Sequence, residues 1–305
     1  MGRQYEMEAV MKIRPKQVFF ILVLLAATAV LTACSGSAAD TRITDVESGR
    51  EMRLSEALGE LKRNRIIFVG EIHDNPTHHQ GQLDVIRALH ESGTPVAVGM
   101  EMFRKESQDS LDRWVAGEMT SGNFRKVYDD NWNFPWHLYA GIFEYAREEG
   151  IPLVGLNVSK GITRQVARGG FQSLDAAQRA SLPLVTCHVD DRYMAYIKES
   201  FGMHGHGQLD FTYFCEAQLL WDKAMAVHAL AYLYEHPDVV LIIVTGRGHA
   251  QKMGIPAHIR KRSALPHAVL LPRMAEGLIS GPLGSEDADY VFHPNGDNRR
   301  AASSD

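Results

Sequence analysis

The chain of 305 residues carries 32 Lys and Arg against 37 Asp and Glu, a formal net charge of −5. An acidic chain with no Lys/Arg run lacks the electrostatic footprint of a nucleic-acid-binding protein. Its three cysteines include no C-x-x-C-H haem-attachment motif, and its length beyond the N-terminus suits one α/β domain with an insertion.

Residues 1–33 read as a signal peptide. Lys12, Arg14 and Lys16 form a basic stretch, and Val18 to Leu31 is an apolar core too short for a comfortable membrane span. Leu31-Thr-Ala-Cys34 resembles a bacterial lipobox, which implies cleavage before Cys34, lipidation of that cysteine and attachment to the membrane through it. Ser35 resembles the outer-membrane sorting signal of Gram-negative bacteria, so the expected location is the cell envelope, on the periplasmic face of the outer membrane. The alternative is a single-pass anchor with an ordinary cysteine. Residues 34–50 read as a small, polar tether. An envelope compartment permits a disulfide between Cys187 and Cys215, but sequence alone does not dictate the pairing.

From there the pattern alternates. Leu54 to Leu61 is a short amphipathic helix, Ile66–Val69 a buried strand turning at Gly70, and Pro76 to Glu91 a helix with Leu83, Ile86 and Leu89 at helical spacing. Pro95–Gly99, Pro152–Leu156 and Val239–Val244 are further strands, with Ala268–Leu271 and Tyr290–Phe292 after them. Tyr213 to Glu235 is the longest helical pattern. Strands alternating with helices predict an α/β fold with a mostly parallel sheet flanked by helices. Insertions near 104–136 and 159–210 form a smaller helical cap. The domain spans 51–293 and residues 294–305 form a disordered tail.

The expected strand ends supply Glu71 and His73, then Glu101, Asn157, and Arg247 with His249. Parallel strands put these ends on one edge, where open α/β sheets bind ligands. Glu71, His73, Glu101 and His249 form a usable set for a divalent metal or for acid/base catalysis. The plain alternative is that each polar residue caps the following helix. Gly70-x-x-His73 and Gly246-x-x-His249 repeat one pattern directly after apolar β runs. Gln218, Asp222 and Met225 share a helix face, either as a solvated stripe or with Asp222 buried against Arg247 or His249. His78 and His79 face the mouth of the cleft. The aromatics between Trp114 and Tyr139 are either core or a wall for a flat apolar ligand. Tyr139 or Tyr193 could then hold iron as a phenolate, and His204 and His206 lie in a glycine-rich loop that could close over it.

These blocks together resemble a known family. Gly70-Glu-Ile-His-Asp74 with His78-His79, Gly99-Met-Glu-Met-Phe103, Val154-Gly-Leu-Asn157, Ala217-Gln-Leu-Leu-Trp-Asp-Lys-Ala-Met225 and Gly246-Arg-Gly-His249 look like the ChaN haem-binding lipoproteins over about residues 50–292. The resemblance implies a lipoprotein of haem or iron acquisition, with haem as ligand, a haem receptor or transporter as partner, and a homodimer around two stacked haems whose irons are held by tyrosine. Tyr139 and Tyr193 both stay open for that role. The family is itself similar to the Tiki/TraB and erythromycin-esterase-like group, some of whose members are metal-dependent hydrolases marked by paired G-x-x-H motifs and a glutamate. The matching residues are His73, His249 and Glu101, with Glu71 adjacent. The resemblance therefore implies a haem-binding module first and a hydrolase second.

Overall fold

The computed structural model describes residues 41–189, 191–203, 210–274 and 283–293. The expected lipidation site Cys34, the loop histidines His204 and His206, and the expected tail lie outside them.

Eight strands form one mixed sheet in the order β2-β1-β8-β7-β3-β6-β4-β5. They are β1 (Arg42–Asp45), β2 (Glu51–Arg53), β3 (Ile66–Glu71), β4 (Val96–Arg104), β5 (Leu153–Asn157), β6 (Val240–Gly246), β7 (His267–Pro272) and β8 (Tyr290–His293). The run β8-β7-β3-β6-β4-β5 is parallel throughout, and only β1 pairs antiparallel, with β8 on one side and β2 on the other. The expected α/β fold with a mostly parallel sheet is what the chain forms. The tether is shorter than its composition suggested: Arg42–Asp45 pairs with both β2 and β8, and Ile43 is fully buried. Strands of three or four residues give too little periodicity to be read in a polar segment.

The central strands are apolar on both faces because helices cover both. Ile67 and Val69 of β3, with Ile242 and Val244 of β6, join one buried layer. Their neighbours Ile66, Phe68, Leu241 and Ile243 join the other. Each such fully buried side chain is worth about 1.5–3 kcal/mol over leaving it in water.

The first layer is closed by α1 (Leu54–Leu61), α2 (Pro76–Glu91), α3 (Gln108–Val115), α4 (Ser121–Asn131) and α5 (Trp136–Glu148). The two regions expected to make a cap behave differently. Leu111, Trp114, Phe124 and Tyr128 from 104–136 merge with the layer on the sheet. Residues between 159 and 220 build their own core from α6 (Lys160–Gly169), α8 (Asp191–Met203) and the first half of α9 (Phe211–Glu235), with the short α7 (Ala176–Ala180) outside it. That core holds Val166, Phe171, Tyr193, Ile197 and Phe214, and a disulfide joins Cys187 to Cys215 across a Cα separation of 5.6 Å. The second half of α9 packs on the sheet with α10 (Arg247–Ala250) and α11 (Ile255–Arg260).

Candidate functional site

Glu71 ends β3 and pairs in register with Gly246, which ends β6. Both strands run further than the sequence suggested, through Gly70 and through Thr245. Glu101 lies inside β4 rather than beyond it, where the pairing with β5 shifts between Met100 and Arg104. Such an irregularity re-aims side chains at a sheet edge. Asn157 ends β5 and holds the irregular segment, its Nδ2 donating to the Glu101 carbonyl at 2.8 Å.

Four expected site residues, Glu71, His73, Glu101 and His249, meet at this edge. Glu71 is 1% exposed. Its Oε1 accepts from His73 Nδ1 at 2.5 Å and from the Tyr139 hydroxyl at 3.4 Å, and its Oε2 lies 3.9 Å from His79 Nε2. Glu101 Oε2 accepts from the Thr245 hydroxyl and the Gly246 amide, both at 2.6 Å, and its Oε1 lies 3.7 Å from His249 Nε2. His249 Nδ1 donates to Asp222 Oδ1 at 2.5 Å, and the Tyr193 hydroxyl donates to the other oxygen of Asp222. Asp222, fully buried on α9, thus takes His249 rather than Arg247 as its partner.

Two histidine–carboxylate pairs therefore face each other across Glu101. Burial pushes the His73 imidazole down, but its bond to Glu71 and the charges of Glu71 and Glu101 outweigh that and hold it above the usual value. Burial opposes protonation of His249 as well, yet Asp222 and Glu101 raise it to about 9. Burial would push Glu101 up, and the two imidazoles with the bonds from Thr245 and Gly246 bring it below the ordinary carboxylate range. His249 is therefore an imidazolium at neutral pH, and His73 is shifted in the same direction. Among the described residues, no group of three or more His, Cys, Asp and Glu is gathered as a set that could hold a metal ion. The imidazole Nδ1 atoms are committed to carboxylates instead.

The paired G-x-x-H motifs have a steric reason. A Cβ on Gly246 would stand 2.8 Å from His73 Cε1. A Cβ on Gly70 would stand 2.7 Å from Leu271 Cδ2 of β7, 3.1 Å from Ala250 Cβ and 3.2 Å from Arg247 Cα. Each glycine makes room for the loop that carries the other histidine.

His78 and His79 do not face a cleft mouth; each is 3% exposed. His78 Nδ1 accepts from the Ile72 amide at 3.1 Å, and His79 Nε2 donates to the His73 carbonyl at 3.1 Å. Together they pin the turn carrying His73, while Asn75, not Asp74, caps α2. This support was not visible in the sequence, although the His-His pair just inside a helix was the signal. Tyr139 is fully buried and Tyr193 is 4% exposed. Burial and the Glu71 charge push the Tyr139 phenol far above its ordinary value.

Beside the cluster lies a cleft of about 350 Å³. Trp132, Phe134, Phe214 and Trp221 give it apolar walls. Trp132 and Phe134 also pack on the His73 ring, at centroid distances of 5.1 and 4.8 Å, and Trp221 meets His249 edge-on at 5.8 Å. The aromatic segment thus divides: Trp114, Phe124, Tyr128 and Tyr139 are core, and Trp132 and Phe134 form wall.

Residues 57–259 match the family model described as haem-binding uptake, Tiki superfamily, ChaN. The fold is similar to the solved ChaN of Campylobacter jejuni, described as binding haem cofacially, with a TM-score of 0.65 and 19% identity over 83% of this chain and 96% of that one. An erythromycin esterase mutant in its open conformation aligns at a TM-score of 0.47 and 14% identity over 78% of each chain. The chloroplastic RETICULATA-RELATED 5 of Arabidopsis thaliana is 25% identical over 126 residues, 39% of this chain and 17% of that protein's length.

Proposed function

The chain belongs to the haem-binding uptake family ChaN of the Tiki superfamily, and from that premise we propose that it binds haem and serves haem or iron acquisition at the cell envelope. The observation that carries the reading is the cleft, whose Trp132, Phe134, Phe214 and Trp221 walls suit a flat apolar ring. Bound haem would supply its own iron chemistry, and the chain's part is to hold and orient the ring.

Tyr139 and Tyr193 remain the proposed iron ligands, and each would have to leave a carboxylate, Glu71 or Asp222, to take the metal. His204 and His206 are proposed to close over the ligand. Lipidation of Cys34, residence on the periplasmic face of the outer membrane, a homodimer, and a haem receptor or transporter as partner belong to the same reading. The Cys187–Cys215 disulfide supports an oxidising compartment. A haem titration of the soluble fragment lacking residues 1–34, followed by absorbance and mass, tests it. A saturable Soret shift with a rise to dimer mass is expected, altered in Y139F or Y193F. No saturable binding overturns it.

A second reading is favoured by the meeting of Glu71, His73, Glu101 and His249. Hydrolysis of an ester or amide would use the two histidine–carboxylate pairs for acid/base work. His73 is the exposed member, with 30% of its side chain accessible. Its Nδ1 bond to Glu71 leaves Nε2 as the atom that exchanges a proton with substrate or water. Glu71→Gln and His249→Ala should abolish turnover while the fold survives, and a chelator separates metal-assisted from metal-free chemistry. Activity retained in both variants sinks this reading.

A further inference from the structure

The cleft has a charge pattern that its apolar walls do not explain. Arg104, Lys160 and Arg164 all line it. Arg104 Nε donates to the Asn131 side-chain oxygen at 2.9 Å, and Lys160 Nζ donates to that of Asn133 at 3.1 Å. Both acceptors are neutral amides. Some arginines elsewhere in the protein find carboxylates, as Arg42 does with Glu51 and Arg125 with Asp129, and others donate to backbone carbonyls, as Arg179 and Arg260 do. Among the described residues no carboxylate stands within ion-pair distance of the three cleft cations, and the charge of Asp130 offsets only a small part of what acts on Lys160. They also crowd one another: burial first, then the neighbouring Arg104 and Arg164 charges, push the Lys160 ammonium below its ordinary value.

Like charges held together beside an apolar wall are unfavourable unless an anion joins them. Arginine binds carboxylates through two parallel N–H bonds, and the low-dielectric wall strengthens the contact. We propose that Arg104, Lys160 and Arg164 recognise the carboxylates of the ligand in this cleft, so that the site selects a planar tetrapyrrole by its propionates. The inference rests on the haem reading above and deepens it: the ring fills the aromatic walls, and the three cations set which end of the ring faces them. It makes recognition a property of the porphyrin's acid groups rather than of the iron alone.

The test compares protoporphyrin IX with its dimethyl ester, and both with haem, by fluorescence and absorbance titration of the purified protein. The wild type should bind the diacid at least about tenfold more tightly than the diester, and added salt should weaken only the diacid. In the triple variant R104Q/K160Q/R164Q the discrimination should fall below about threefold, with diester affinity unchanged. Should the triple variant fail to fold, R164Q alone carries the test, because Arg164 is exposed. It should lose about threefold in diacid affinity and none for the diester. Saturable haem binding with equal affinity for diacid and diester, or undiminished discrimination in the variants, overturns the inference while leaving haem binding intact. Absence of saturable binding by any of the three compounds overturns the haem reading itself.

Discussion

The strand-end cluster and the cleft beside it share Trp132, Phe134 and Trp221 as neighbours, yet they treat charge in opposite ways. In the cluster, His73 is matched by Glu71 and His249 by Asp222, while Glu101 lies between the imidazoles with two further donors on it. At the cleft, Arg104 and Lys160 donate to neutral amides, and no described carboxylate forms an ion pair with them. The first region pairs its histidines with carboxylates inside the protein and so contributes to the fold, although Glu71 Oε2 is left without a hydrogen-bond partner. The second is left open, so its crowded charges wait for a counter-ion. Mutation should therefore separate stability from binding along this boundary.

The largest effect is expected at Glu101. Glu101→Gln removes the buried carboxylate between the His73 and His249 rings, and a urea melt at neutral pH should show a loss of about 3–5 kcal/mol. A loss under about 1 kcal/mol, the size of a surface ion pair, would erase the contrast with the rim.

Next comes pH. The folded pKa of His249, about 9, stands above the ordinary value of 6.5. The folded state therefore holds a proton that the unfolded chain releases. Its stabilisation is fully present below about pH 6.5 and is lost as pH rises through 9, roughly 3 kcal/mol in all. His258 runs the other way. Burial lowers it to about 4, so the unfolded chain takes up a proton first and stability falls as pH drops from 6.5 towards 4. Melts across pH 4–10 should show a maximum near pH 6.5, and H249Q should flatten its alkaline side.

A smaller loss is expected from G246A, whose new methyl must displace His73. It should cost about 1–3 kcal/mol and lower the stability of the cluster without touching any of its charges. Smallest is R164Q at the cleft, which should shift a urea midpoint by less than about 0.5 kcal/mol equivalent. A large loss there would mean that the rim, too, is part of the folded charge balance.

Much of the site was legible because its residues follow apolar β runs. Glu71, His73 and His249 are read from the two repeated G-x-x-H blocks, and the order of a parallel sheet brings them together without any side-chain detail. Asp222 was half legible: helical spacing put it on a face with Met225, but its partner depends on how α9 crosses the sheet, which no local pattern encodes. Thr245 was hidden inside a strand, and Tyr139 among aromatics that mostly form core. The unread elements, β1 and β2, are short edge strands whose polar residues carry no periodicity. The extension of β4 through Glu101 escaped notice because a register shift breaks the alternation that would mark it.

The mutual fit of Gly70 and Gly246 has a consequence for how the two loops can change. A side chain at either position intrudes on the segment following the other strand, so the two loops are a lock cut from both sides, though 176 positions separate the glycines along the chain. A side chain at position 246 needs space from His73, and one at position 70 needs it from Leu271 as well as from the loop of His249. The pair behaves as a single part written in two places, and a variant library that randomises one loop alone should return almost nothing that a library randomising both would find.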